Sequence, residues 1–343
     1  MRQITTALKS SKTATVLALS LAVIYGATEF GDHPVQQAGA AISPEMQSSI
    51  LSDATDPQKI AGLVVPLPNL RPLGLPFIEQ PYQIDVVSLT ESWSGMSYDI
   101  DEIRVGQKVP RYFVEQMPVD ILDIRQVQVR KKVFLSVTLP LILRANEEII
   151  ARRSRLQSIM SVQELKAELS PSDTSWVTQL TELYGSKPGN MSDLLGRVDV
   201  IPVSLVLAQS IEESGWGTSR FAREGNALFG QRVWSAGQGI VPKEREGGLQ
   251  YEVKAFDALY QSIRSYIHNL NSHKAYKGLR FERVNLKRDN GYVSGYALSG
   301  TLQSYSERGA DYIDALRSLI RVNKLNQFED AKLIPEQVAQ IFN

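Results

Sequence analysis

The 343-residue sequence predicts an α+β fold that is mainly helical with one small β-hairpin lobe, placed behind a membrane-targeting segment and a Pro-rich spacer. Three observations carry this. Apolar residues recur at helical spacing from about residue 118 onward. A single segment, 237–256, departs from that period with short β-type runs around a Glu-Gly-Gly turn. Ten of the sixteen prolines fall before residue 120, a composition that favours extended chain over a packed core.

The elements follow in chain order. Residues 1–30 form a signal peptide or signal anchor: Arg2, Lys9 and Lys12 precede "TATVLALSLAVIYGATEF", uncharged until Glu29. Tyr25-Gly26-Ala27 is a poor small-x-small cleavage site and Ala38-Gly39-Ala40 is far from the apolar run, which favours an uncleaved anchor over a cleaved signal. Either way the chain beyond is expected outside the cytoplasm, in the periplasm or on the outer face of the inner membrane. Residues 31–117 read as the spacer, densest in proline at "VVPLPNLRPLGLPFIEQP", with strand-like content in "YQIDVVSLT" that leaves room for partial order. "VFLSVTLPLILR", 133–144, is too short to span a bilayer and contains Pro140, so it is expected to be a buried, kinked helix. Helical periodicity continues through "VQELKAEL", "DTSWVTQLTELYG", "PVSLVLAQSIEES", "LYQSIRSYIHNLN" and "ADYIDALRSLIRVNKLN". The folded domain is thereby expected over 118–325, with 326–343 a C-terminal tail, and a cleft between the helical part and the hairpin lobe is where a ligand would lie.

Composition removes several classes of function. Lys+Arg and Asp+Glu stand at 37 each, so no global field points to nucleic acid. The chain has no cysteine, which removes disulfides, thiolate metal sites and a cysteine nucleophile. Its three histidines, His33, His268 and His273, have no zinc-site spacing, and no metal or other cofactor is expected.

One stretch asks for a chemical explanation: "LAQSIEESGWGTSRFAREGNALFGQ", Leu207 to Gln231. Val203, Leu207 and Ile211 recur every four residues, Pro202 suits the first turn, and Gly215 and Gly217 suit the end. Glu212 and Glu213 then occupy the last turn, where the negative end of the helix dipole opposes them by roughly 0.3–1 kcal/mol each. The same field favours the protonated carboxyl, and burial beside Trp216 would raise its pKa further, as general-acid chemistry requires. Acidic residues also occur at helix ends with no such role, so the local pattern leaves both readings open.

"AQSIEESGWGTSRFA" followed by "GNALFGQ", a Glu-containing hairpin, "AFDALYQSIRSYIHNL", "HKAY" and "YSERGADYIDAL" resembles the glucosaminidase family of peptidoglycan hydrolases, glycoside hydrolase family 73. With its long N-terminal extension the chain is most similar to the Bax group, over about residues 118–325. The resemblance implies a lysozyme-like fold and peptidoglycan glycan strands as partner. It also implies that the glutamate directly before Ser-Gly-Trp-Gly, Glu213, is the general acid, with no role for Glu212. A second carboxylate on the hairpin is implied at Glu244, with Glu246 the alternative. Trp216, Asn226, Phe229, Tyr276 and Tyr305 fall in matching blocks as substrate contacts, the rings to stack on sugars and Asn226 to bond an acetamido group. Core packing is the competing role for each ring, above all for Phe229 and Tyr312. The implied activity is hydrolysis of the bond between N-acetylglucosamine and N-acetylmuramic acid, an endo-β-N-acetylglucosaminidase reaction. The alternatives are a lytic transglycosylase and a non-catalytic, membrane-tethered wall-binding module.

Overall fold

Pro140 sits in the middle of the longest helix, and the way the protein accommodates it shows how the fold is assembled. The computed structural model describes residues 84–234, 236–243 and 251–336; the apolar N-terminal run, residues 31–83, Glu244 and Glu246 lie outside the described residues. Among the described residues no helix is long and apolar enough to cross a membrane. Helices α1 (Val86–Gly95) and α2 (Ile100–Ile103) lead to α3 (Val127–Glu164), which runs through Pro140 without a break. Proline has no N–H for the carbonyl four residues earlier. That carbonyl, of Ser136, accepts instead from the Tyr98 hydroxyl at 3.2 Å. Every residue from Val133 to Leu143 is buried, so this part of α3 is covered on all sides.

Next come α4 (Pro171–Tyr184), α5 (Met191–Arg197), α6 (Val203–Ser214) and α7 (Arg220–Gly225). The helix expected over "VQELKAEL" stops at Glu164, with Lys166 left-handed at φ 57°. Ser170 and Pro171 explain the stop: Ser170 caps α4 through Asp173 N–H at 3.1 Å, and a proline disfavours helical backbone before it. A three-stranded antiparallel sheet follows in the order β1 (Arg232–Val233), β3 (Glu252–Lys254), β2 (Gly239–Ile240). The pairing of β2 with β3, Ile240 opposite Val253, is the expected hairpin, and β1 adds a strand that the sequence does not suggest. The sheet rests on its own small core of Phe221, Ala227 and Val253. The chain then forms α8 (Leu259–Ser272), α9 (Lys277–Asn290), α10 (Gly295–Leu298) and α11 (Ala310–Val322), with a 3-10 turn at Leu325–Phe328. The described residues are therefore mostly helical with one small sheet, an α+β arrangement, and α6 packs against α3, α10 and α11.

Both flanks of the expected 118–325 domain differ from expectation from residue 84 onward. "DVVSLT" is helical, because Asp85 caps it through Ser88 N–H at 2.7 Å and Leu89 and Trp93, four apart, are both buried. Tertiary packing here overrides the strand propensity of the two valines. Residues of the expected spacer and tail pair with each other: Val109 N–H donates to Lys332 O at 2.9 Å and Ile334 N–H to Val109 O at 2.8 Å. Phe328 and Leu333 are buried in the same core as Leu89, Trp93, Tyr98 and Ile103. A chain beginning at residue 105 is accordingly expected to melt about 10 °C or more below one beginning at residue 84, since it loses several side chains worth roughly 1.5–3 kcal/mol each. Equal melting temperatures would show that α1 and α2 contribute nothing to the core.

Candidate active site

The site is built around the C-terminal end of α6. Residues Val203 to Ile211 are buried without exception, so the helix is held on all sides and presents its last turn at a fixed place. Its N-terminus is closed by Glu329, whose carboxylate accepts from the Ser204 hydroxyl and from Gly295 N–H at 3.2 Å. Burial holds the Glu329 carboxyl above its ordinary range, and the Ser204 hydrogen bond opposes this. At the other end Gly215, Trp216 and Gly217 are all left-handed, with φ of 58°, 62° and 76°. A bulky residue there costs roughly 1–2 kcal/mol, strain of the kind kept where a site needs it. Trp216 is held by the edge of Phe134, centroids 5.8 Å apart, and by Lys131, its ammonium 4.9 Å from the ring centroid. A side chain at Gly217 would be strained, since its φ is 76° and a Cβ would lie 2.7 Å from Met117 Sδ and 3.1 Å from Phe134, so that both would have to shift. Ser214 closes the turn by accepting from Gly217 N–H at 2.9 Å. Ser214, Gly215 and Gly217 thus have backbone reasons, while Trp216 is held against its backbone preference by its ring contacts.

This turn sends the two adjacent glutamates to different surroundings. Glu212 forms an ion pair with Arg308 at 2.6 Å. Glu213 turns inward, where its Oε1 accepts from the Tyr312 hydroxyl at 2.8 Å. The Tyr312 hydroxyl accepts from Gln209 Nε2 at 2.9 Å, and Gln209 Oε1 accepts from the Tyr266 hydroxyl. Tyr305 stacks on Tyr312 with centroids 5.4 Å apart, and Tyr276 lies 6.2 Å from Tyr305. In this aromatic box the Glu213 carboxyl is pushed up to about 8, first by burial; the Tyr312 hydrogen bond opposes, Glu212 adds, and Arg308 opposes. It is therefore mainly protonated at neutral pH, poised to give up a proton.

The other sequence candidates divide. Trp216 follows in the turn after Glu213, and Tyr305 and Tyr276 join the box through Tyr312, both buried, so that their rings pack within the box. Phe229 lies one layer deeper: it is 1% exposed and stacks on Tyr266 at 3.9 Å, interplanar angle 7°. That placement makes it packing for the site, because the ring face nearest the site is already covered. Asn226 is also internal. It takes the left-handed position after α7, and its Nδ2 donates to Phe256 O at 3.0 Å and Asp257 O at 3.1 Å, tying α7 to the strand–helix connection. Its NH2 group is spent on that tie, while its buried Oδ1 accepts from no group among the described residues. Glu244 and Glu246, between β2 and β3 in the sequence, lie outside the described residues. Two features of the site have no clear mark in the sequence. Gln209 and Tyr266 look there like a polar residue on a buried helix and a core ring. Trp234, 51% exposed after β1 with its edge on Tyr251, is the open aromatic surface of the small lobe.

No group of three or more His, Asp or Glu side chains among the described residues could hold a metal ion. Burial pushes His268 down to about 4, and its ring packs on Tyr184, the setting of a neutral core histidine. His273 caps the 3-10 turn Lys274–Tyr276 through Ala275 N–H.

The family model for glucosaminidases, described as mannosyl-glycoprotein endo-beta-N-acetylglucosaminidase, matches residues 190–325. The match takes in α6, the sheet and every tyrosine of the Glu213 cluster, and starts later than the 118 expected. Protein bax of Escherichia coli (strain K12) is 32% identical over 201 residues, covering 57% of this chain and 70% of that protein. No solved structure matches.

Proposed function

Because the chain belongs to the glucosaminidase family as a Bax-like member, and so to a group of glycosidase-type enzymes, we propose that it hydrolyses peptidoglycan glycan strands between N-acetylglucosamine and N-acetylmuramic acid. The observation that carries this reading is the buried Glu213 carboxyl at the end of α6, held protonated at neutral pH. Its proton passes to the glycosidic oxygen as the bond from that oxygen to the anomeric carbon breaks, the bonding electrons leaving with the oxygen. Water supplies the hydroxyl that the anomeric carbon gains, and its remaining proton returns to the carboxylates of the site, restoring the Glu213 acid for the next turnover. The Tyr312 hydroxyl then donates to the carboxylate left behind, which favours the charged form the step produces. A second carboxylate, to assist the water or the developing positive charge, is assigned to Glu244, with Glu246 as alternative. Trp234 on the exposed edge of the sheet supplies a stacking face for a sugar ring.

The same reading gives the helical part and its small sheet a lysozyme-like role, the two flanking a glycan. It places the enzyme in the periplasm or on the outer face of the inner membrane, reached through the basic-flanked apolar run at residues 13–30. Mass analysis of fragments released from purified wall sacculi tests the reaction. Hydrolysis here leaves free reducing N-acetylglucosamine ends. Anhydromuramic ends, lighter by one water, would instead identify a lytic transglycosylase, and no soluble fragment would mark a binding module. The pH dependence is a second expected result. A general acid with a pKa of about 8 is lost as pH rises through that value, so kcat/KM should fall on the alkaline side there. A profile that already falls near pH 5 would place the acid elsewhere.

A further inference from the structure

Gln209 lies one turn before Glu213 on α6 and is 0% exposed. Its amide links three helices: the Tyr266 hydroxyl of α8 donates to its Oε1, and its Nε2 donates to the Tyr312 hydroxyl of α11 at 2.9 Å. An amide nitrogen only donates and an amide oxygen only accepts, whereas a hydroxyl does either. With Nε2 directed at the Tyr312 oxygen, the single hydrogen of that hydroxyl is left to point at Glu213 Oε1, 2.8 Å away. We propose that Gln209 is a positioning residue that fixes the sense of the chain Tyr266 to Gln209 to Tyr312 to Glu213, leaving the acid hydrogen on Oε2 of Glu213 free for transfer. This rests on the reading of Glu213 as the general acid.

If the chain ran the other way, Tyr312 would point its hydrogen at Gln209 and accept the hydrogen of Glu213. The acid proton would then be held inside the protein, and a hydrogen bond would have to break before each transfer. Apolar replacement of Gln209 removes the constraint and lets both senses occur. It also weakens Tyr312 as a donor to the carboxylate, because hydrogen bonds in a chain strengthen one another. Both changes favour protonated Glu213. The other groups facing it are Glu212 on the same helix, Arg308 before α11, and the rings of Tyr266, Tyr305 and Tyr312, with Tyr276 behind Tyr305. Burial holds Tyr266, Tyr305 and Tyr312 well above the ordinary phenol range, so none of these three titrates with Glu213. Glu212 and Arg308 are unchanged in the variants used below.

The test compares Gln209→Met and Tyr266→Phe in the full-length chain, each alone and with Tyr312→Phe. Three quantities are read: kcat and KM on glycan strands against pH, the melting temperature, and the titration of Glu213 followed by its carboxyl carbon signal, assigned by its loss in Glu213→Gln. Gln209→Met should lower kcat by about tenfold, the kinetic equivalent of one buried hydrogen bond, with KM little changed and the Glu213 titration moved to higher pH. Tyr266→Phe should act in the same direction and less. With Tyr312→Phe already present, neither should change kcat or the titration further, since both act through Tyr312. Equal losses in both backgrounds, or an unmoved titration with a lowered melting temperature, would reduce Gln209 to packing and overturn the proposal. Should Gln209→Met not fold, Tyr266→Phe decides on the same criteria. Absence of glycan cleavage by the unaltered chain would sink the enzymatic reading, while the titration would still test the hydrogen-bond chain.

Discussion

Glu213→Gln should lower turnover on glycan strands by at least ~10²-fold, the low end for loss of an acid catalyst, with the chain still folded. Glutamine keeps an oxygen to accept from Tyr312 and fills the same volume, so the aromatic box around it persists. Only the transferable proton is gone. Glu212→Gln should keep most activity, because Glu212 faces Arg308 and not the box. It should also move the alkaline limb of the profile to lower pH, since the Glu212 charge helps to hold Glu213 up while Arg308 opposes it. The same substitutions have a signature in stability. The folded pKa of Glu213 lies above its unfolded value near 4.5, so its contribution is complete below about pH 4.5 and is lost as pH rises through about 8. The stabilities of Glu213→Gln and the unaltered chain should therefore diverge across that window in favour of Glu213→Gln, by on the order of 1.4 kcal/mol for each pH unit crossed. Parallel curves, with activity retained in Glu213→Gln and abolished in Glu212→Gln, would mean that the acid is the other glutamate.

Helix α6 is legible in the sequence because every signal agrees: apolar spacing, Pro202 before the first turn, and Gly215 where the chain turns left-handed. The divergence of the two glutamates is legible for the same reason, since neighbours on a helix point about 100° apart. What the sequence does not show is the company each side chain keeps. Spacing marks Tyr312 as core and does not single out Tyr266, because periodicity identifies a buried face and not the polar atom that closes it. Gln209 meets them across 57 and 103 residues of chain. Phe229 and Asn226 fall in the right blocks, yet their contacts are internal, a distinction that depends on depth below the surface. Helix α9 is hidden for a different reason. Two of its core positions, Arg280 and Arg283, are arginines, so a search for apolar spacing finds too few residues on that face.

Those arginines belong to the part of the fold with the largest expected effect on stability. Asp199, in the connection from α5 to α6, has a side chain only 3% exposed and faces three cations: Lys287 at 2.6 Å, and Arg153 and Arg283 at 3.7 Å. Arg283 is wholly buried. Its guanidinium donates to the carbonyls of Gly196 at 2.8 Å, Asp199 at 3.1 Å and Val200 at 3.0 Å, and to Asn271 Oδ1 at 2.8 Å. Burial pulls Arg283 down to about 10; Asp199 opposes this, and Arg153 adds to it. Asp199→Ala removes the compensating charge and leaves that guanidinium buried with neutral hydrogen-bond acceptors beside two like charges, Arg153 and Lys287, which should cost about 3–5 kcal/mol of unfolding free energy. The site itself should be spared at temperatures where the variant is folded, because roughly 15 Å of rigid helix separates the start of α6 from Glu213. Denaturant unfolding checks the first expectation and kcat per folded molecule the second. A variant that unfolds within ~1 kcal/mol of the unaltered chain would mean that the backbone carbonyls around Arg283 are sufficient to hold its charge, and that Asp199 is not the keystone of the α5–α6 connection.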